Sequence, residues 1–196
     1  MEKTMTIGEQ AVKLILSFEG WDDPSQWQGG SSGITIPYGY DLGYEPFTQD
    51  WKGKLDDAVF NVLLPAVGLK GQKAAAYAPK LRGIHVPESV ADDIFDSLTL
   101  PKYAGQTNDV FPGSSSLAPD AFGALVSLVY NRGTLIDKSD RRKEMLELHK
   151  MFTTGQVDLN DVAHLVESMK RLWPNKGPDS LYARRVAEAN LIRSTL

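Results

Sequence analysis

The chain has 196 residues, 42% of them hydrophobic, and a formal net charge of −4, which allows a sizeable core in one domain or in two lobes sharing a helix. It has no cysteine, and its three histidines (His85, His149 and His164) lie far apart without an HExxH-type spacing. This excludes disulfide frameworks, thiolate nucleophiles and cysteine-ligated zinc, and neither a metal nor a cofactor is expected. The apolar runs 58–67 and 122–130 fall short of the about 20 residues of a membrane span, and MEKTMTIGEQ lacks the basic-then-apolar pattern of a signal peptide. The basic excess of residues 132–196, 12 basic against 9 acidic, is too mixed to be a nucleic-acid footprint.

Thr6 and Glu9 read as a capping box, and Ile7, Ala11, Leu14, Ile15 and Phe18 then recur at helical spacing as far as Glu19. Gly20 ends that helix, and Asp22 to Gly33, with Pro24 and GGSSG, suits a loop or hairpin. Ile34 to Tyr40 alternates loosely, but Pro37 limits it to an edge strand or an irregular extended piece. Helical patterns then dominate, over about 56–67, 72–81, 87–98 and 101–111, with Gly or Pro at each junction. Pro119 suits a first helical position, and 120–132 is apolar nearly all round, the pattern of a buried central helix. Three more helices are expected over about 139–152, 158–172 and 179–193. The expected fold is α+β and predominantly helical. It is a single domain over 1–196, with a small N-terminal sheet lobe to about residue 68 and a larger helical lobe over about 69–196.

The stretch from Ser17 to Gly43 concentrates the chemistry. Glu19 ends the first helix beside its apolar stripe, where partial desolvation would keep a carboxyl protonated for general-acid work; the plainer reading is a polar helix end. Asp22, Asp23, Trp27, Gln28, Ser31, Ser32, Thr35, Tyr38, Tyr40 and Asp41 follow. Flat aromatic faces mixed with carboxylates and hydroxyls suit a carbohydrate site, with Trp27, Ser32, Tyr38 and Tyr40 as candidate sugar contacts. A polar turn over core aromatics explains the same composition equally well.

The sequence resembles the phage-type lysozymes, the family 24 glycoside hydrolases or muramidases with pesticin-like toxins as relatives, and specifically the bacterial branch of secreted antibacterial effectors. The resemblance rests on FEGW around Glu19, Thr35-Ile36-Pro37-Tyr38-Gly39, ALVSLVYNRG (Ala124 to Gly133), YARRVAEANL (Tyr182 to Leu191) and the DRRKEM run (Asp140 to Met145). These matches keep the family's order along nearly the whole chain. The resemblance implies a lysozyme-like fold with a cleft between its lobes, and inverting hydrolysis of the β-1,4 bond between N-acetylmuramic acid and N-acetylglucosamine. Glu19 would be the general acid and Thr35 would hold the attacking water. The aspartate that the phage enzymes place six residues before the threonine is missing, since Gly29 stands there. Asp41 resembles the aspartate of the effector branch and would supply the charge; its alternative role is to brace the turn through Gly43 or Tyr44.

By the same resemblance one of Arg184 and Arg185 would lie near the catalytic glutamate, while the other pairs with Glu188 in a surface contact. Asn131, at the end of the central helix, is either a substrate contact or a buried structural amide. Arg141, Arg142 and Lys143 read as a solvated face, or else as a contact for a sugar carboxylate or a partner. The implied partners are peptidoglycan glycan strands and, for an effector, a cognate immunity protein; no nucleic acid and no membrane span are expected, and the chain is expected to be a monomer. It would be made in the cytoplasm and act in the periplasm or cell wall after delivery by a secretion system or phage holin. The settings open are effector, endolysin and autolysin, and the rival reading is a peptidoglycan-binding or scaffold module without catalysis.

Overall fold

The computed structural model describes residues 5–196, which form ten α-helices (61% helix) and one two-stranded antiparallel sheet. The chain divides into two compact units, the first comprising the segment up to Phe18 with Pro101–Leu196 and the second Glu19–Leu100. Each unit has its own apolar core.

In the second unit, β1 (Thr35–Ile36) and β2 (Tyr40–Asp41) pair with Thr35 opposite Asp41 and Ile36 opposite Tyr40. The expected extended piece is therefore a hairpin. Pro37 sits in its turn, where no ladder amide is required, and Tyr38 (φ 61°) and Gly39 (φ 74°) reverse the chain in left-handed conformations. Four short helices follow: α2 (Phe47–Trp51), α3 (Asp57–Leu63), α4 (Gln72–Tyr77) and α5 (Glu88–Ile94). Periodicity gives no sign of α2, whose five residues are too few to show a repeat. Asp56 caps α3 by accepting from the Ala58 and Val59 amides. Pro65 and Pro79, which lack an amide for the α pattern, turn the ends of the expected 56–67 and 72–81 helices into single 3₁₀ turns.

The core of this unit joins Ile34, Ile36, Leu42, Phe47 and Trp51 to Ala74, Leu81 and Ile94. The division expected near residue 68 thus falls inside a packed unit. The physical reason is that a two-residue hairpin buries too little surface alone and recruits α4 and α5 as its cover.

The first unit holds α1 (Glu9–Glu19), whose last residue is the first of the second unit, and α6 (Leu100–Val110), which Leu100 likewise begins from that unit. It also holds α7 (Pro119–Arg132), α8 (Lys143–Thr154), α9 (Leu159–Ser168) and α10 (Leu181–Arg193). Every residue of α7 from Ala121 to Val129 is buried, as its all-round apolarity predicts. At Gly123 an added Cβ would lie 2.2 Å from the Ala11 Cβ, so α1 packs directly against the α7 backbone. Asp120 fixes that docking, its Oδ1 accepting from the Ala11 amide at 3.1 Å. Among the described residues no helix is long and apolar enough to cross a membrane.

Candidate active site

Glu19 is half-buried at the C-terminal end of α1, and Gly20 (φ 70°) turns the chain back at once. This brings Asp22 against the hairpin turn, where its Oδ2 accepts from the Gly39 amide at 2.9 Å and its Oδ1 from Gln28 Nε2 at 3.0 Å. Burial holds the Asp22 carboxyl above the usual aspartate range. The Gly39 amide works against that shift, and the negative charge of Glu19 adds to it. Glu19 and Asp22 are therefore near enough for the charge of one to bear on the carboxyl of the other.

Trp21, between them, keeps 43% of its surface exposed. Its ring meets Tyr38 edge-on, with centroids 5.5 Å apart, and lies tilted beside His85 at 6.2 Å. Tyr38 is the single described non-glycine residue at positive φ, a conformation that costs about 1–3 kcal/mol and persists only where the surroundings enforce it. Here they do. The Tyr38 hydroxyl donates to Asp92 Oδ1 at 2.8 Å, and its ring meets Phe95 at 5.5 Å. Burial, the Asp92 bond and the charges of Asp92, Glu88 and Asp96 push the phenol up to about 12.

Asp41 has the bracing geometry. Its Oδ1 accepts from the Gly43 amide at 2.7 Å, and both of its oxygens accept from the Gly33 amide, at 3.1 and 3.0 Å. Gly33 has no room for a side chain, since a Cβ there would lie 2.2 Å from Asp41 Oδ1. Of the two roles open to Asp41, the structure displays the brace. Thr35 lies opposite it in the ladder and is 7% exposed.

Three candidate sugar contacts are also framework residues. Tyr40 is buried in the core, donates to Asp50 Oδ2 at 2.6 Å and packs on Trp51; burial and then Asp50 drive its phenol far above the usual tyrosine range. Trp27 packs against the same core and donates through Nε1 to the Ser32 carbonyl at 3.1 Å. The Ser32 hydroxyl donates to the Gly29 carbonyl at 2.7 Å, and its carbonyl also accepts from the Gly71 amide. These groups shape the Gly/Ser loop, whose composition alone looks the same whether its aromatics face sugar or core. Trp21 and His85 are not among the candidate residues of the sequence; the signal for Trp21 is its place directly after the helix-ending Gly20.

Asn131 and Arg184 belong to the first unit. Asn131 is half-buried one residue before the end of α7. Arg184 and Arg185 are both buried and both reach Glu188, itself fully buried: Oε1 accepts from Ser127 Oγ at 2.6 Å, Arg185 Nη2 at 2.7 Å and Arg184 Nε at 3.3 Å. Arg184 Nη2 also donates to the Ser127 carbonyl at 3.1 Å. The pairing with Glu188, expected at the surface, is thus a core ion pair, because α10 lays this face against the buried α7. Arg141 and Lys143 are exposed, whereas Arg142 is half-buried.

Among the described residues no group of three or more histidine, aspartate or glutamate side chains could hold a metal ion. No protein-family model matches the chain, and no curated protein matches it in sequence.

Proposed function

We propose that the chain is a peptidoglycan muramidase, a cofactor-independent glycoside hydrolase of the phage-lysozyme type that cleaves between N-acetylmuramic acid and N-acetylglucosamine. The observation that carries this reading is the half-buried Glu19 paired electrostatically with Asp22 beside the exposed ring of Trp21. A glycosidase needs one carboxyl that gives a proton to the leaving oxygen and a second group that assists water on the other side of the bond. Glu19 is the acid. Asp22, an aspartate of the N-terminal loop, takes the helper role that the resemblance gave to Asp41, since Asp41 is committed to the Gly33 and Gly43 amides. Thr35 positions the attacking water, and reaction is by single displacement with inversion. The Trp21 indole offers an apolar face to a sugar ring.

In this reading the protein acts on the wall after delivery from the cytoplasm, and a producer that uses it as an effector keeps a cognate immunity protein. The commitment of Asp41 to backbone amides favours one alternative, a lysozyme-like module that binds glycan without cleaving it. Purified sacculi separate the two: a muramidase clears their turbidity and releases soluble fragments, whereas a binding module sediments with them and releases none.

A further inference from the structure

We infer that the arginine cluster at the C-terminal end of α7 is a binding site for an oxyanion, a carboxylate or phosphate group. The inference concerns the first unit alone and does not rest on the muramidase reading. Arg132, the last residue of α7, is 8% exposed. Its guanidinium is held on two sides, with Nη2 donating to the Arg141 carbonyl and the Trp173 ring centroid 5.2 Å away. Arg142 lies beside it. Arg132 Nε and Arg142 Nη1 are buried donors without an acceptor among the described protein atoms.

Charge tells the same story. Burial first, then the neighbouring Arg142 and Arg141, bring the Arg132 guanidinium down to about 10, and Glu144 is the carboxylate that opposes them. Glu144 is already engaged by Arg171 Nε at 2.7 Å, and Asp140 by Arg171 Nη1 at 2.8 Å. Among the described residues neither Arg132 nor Arg142 has an ion-pair partner. Arg184 and Arg185 show how this chain otherwise buries guanidinium groups, around a carboxylate; Arg185 too has nitrogens outside its Glu188 bond, so what sets Arg132 and Arg142 apart is the missing carboxylate. Two unused guanidinium nitrogens on neighbouring arginines, Arg132 Nε and Arg142 Nη1, match the two oxygens of a carboxylate or phosphate.

The test is a titration of the ¹⁵N-labelled chain at neutral pH with sodium phosphate, against sodium chloride at equal ionic strength, followed through the arginine Nε–Hε resonances. The Arg132 and Arg142 signals, assigned by their loss in Arg132→Lys and Arg142→Ala, should move together along one saturable curve. Arg142→Ala should weaken phosphate binding about tenfold or more, as read on the Arg132 signal. Because Arg132 is buried and its variant can lose the fold, Arg142→Ala at a half-exposed position is the deciding variant. Movement that never saturates, or an affinity unchanged in Arg142→Ala, overturns the site. Parallel titrations with N-acetylmuramic acid and with N-acetylglucosamine, which lacks the carboxylate, distinguish the sources. Saturation by the first and not the second supports the site and places its anion on a wall sugar, and saturation by phosphate alone supports it as a phosphate site.

Discussion

The two units treat ionisable side chains in opposite ways. Residues 19–100 carry 12 acidic and 6 basic side chains, and the carboxylates of Asp22 and Asp41 are set against backbone amides of loops around a four-residue sheet. In the first unit the fully buried Glu188 ties Ser127, Arg184 and Arg185 together inside a helical core. The contrast is one of desolvation. Glu188 is sealed among guanidinium groups and holds helices together, whereas burial, with the charge of Glu19 adding to it, holds the half-buried Asp22 carboxyl above the usual aspartate range.

Removing Glu188 should break the comparison most violently. Glu188→Ala leaves two arginines buried around a lost carboxylate and should cost about 3–5 kcal/mol in denaturant unfolding. Removing the brace in the acidic unit should cost less. Asp41→Ala strands the Gly33 and Gly43 amides and should destabilise by about 1–3 kcal/mol, with glycan cleavage falling only as far as the loop loosens. If cleavage disappears while stability is unchanged, Asp41 is catalytic after all and the division between brace and chemistry is wrong. Tyr38→Phe, which deletes the bond to Asp92 and keeps the ring, should cost about 1 kcal/mol in the same assay.

The smallest effect is a pH slope. The Asp22 carboxyl is held above its ordinary value of 3.8, so the folded state binds that proton more tightly than the unfolded chain does. Its contribution is fully present below 3.8 and is lost as pH rises through the raised value. The melting temperature of Asp22→Asn relative to the parent should therefore rise across that window, and a flat difference would remove the evidence for a perturbed Asp22.

Much of the helical framework was legible. The α7 pattern, the C-terminal end of α1 and the helices after residue 139 follow from periodicity and from Gly and Pro punctuation, because those signals are local; α1 starts at Glu9, later than a Thr6 cap would put it. The unit boundary was not, since which helices cover a hairpin depends on contacts distant in sequence; Ala74 and Ile94 share a core with Ile34 although nothing near them in the chain announces it. At the candidate site, Glu19 was readable from its place at the helix end. The split between Asp41 as brace and Asp22 as partner needed coordinates, because an aspartate in a glycine-rich loop reads the same whether its oxygens face amides or solvent. The arginine pairing with Glu188 was misplaced to the surface because α10 carries charge on its buried face, which hydrophobic periodicity cannot register.

The most direct test of the account compares the parent chain with Glu19→Gln on purified peptidoglycan, with borohydride reduction and mass spectrometry of the released fragments. The parent should generate new N-acetylmuramic acid reducing ends, and Glu19→Gln, with an unchanged melting temperature, should generate none. Substantial cleavage by a folded Glu19→Gln, or new ends on N-acetylglucosamine, would contradict it.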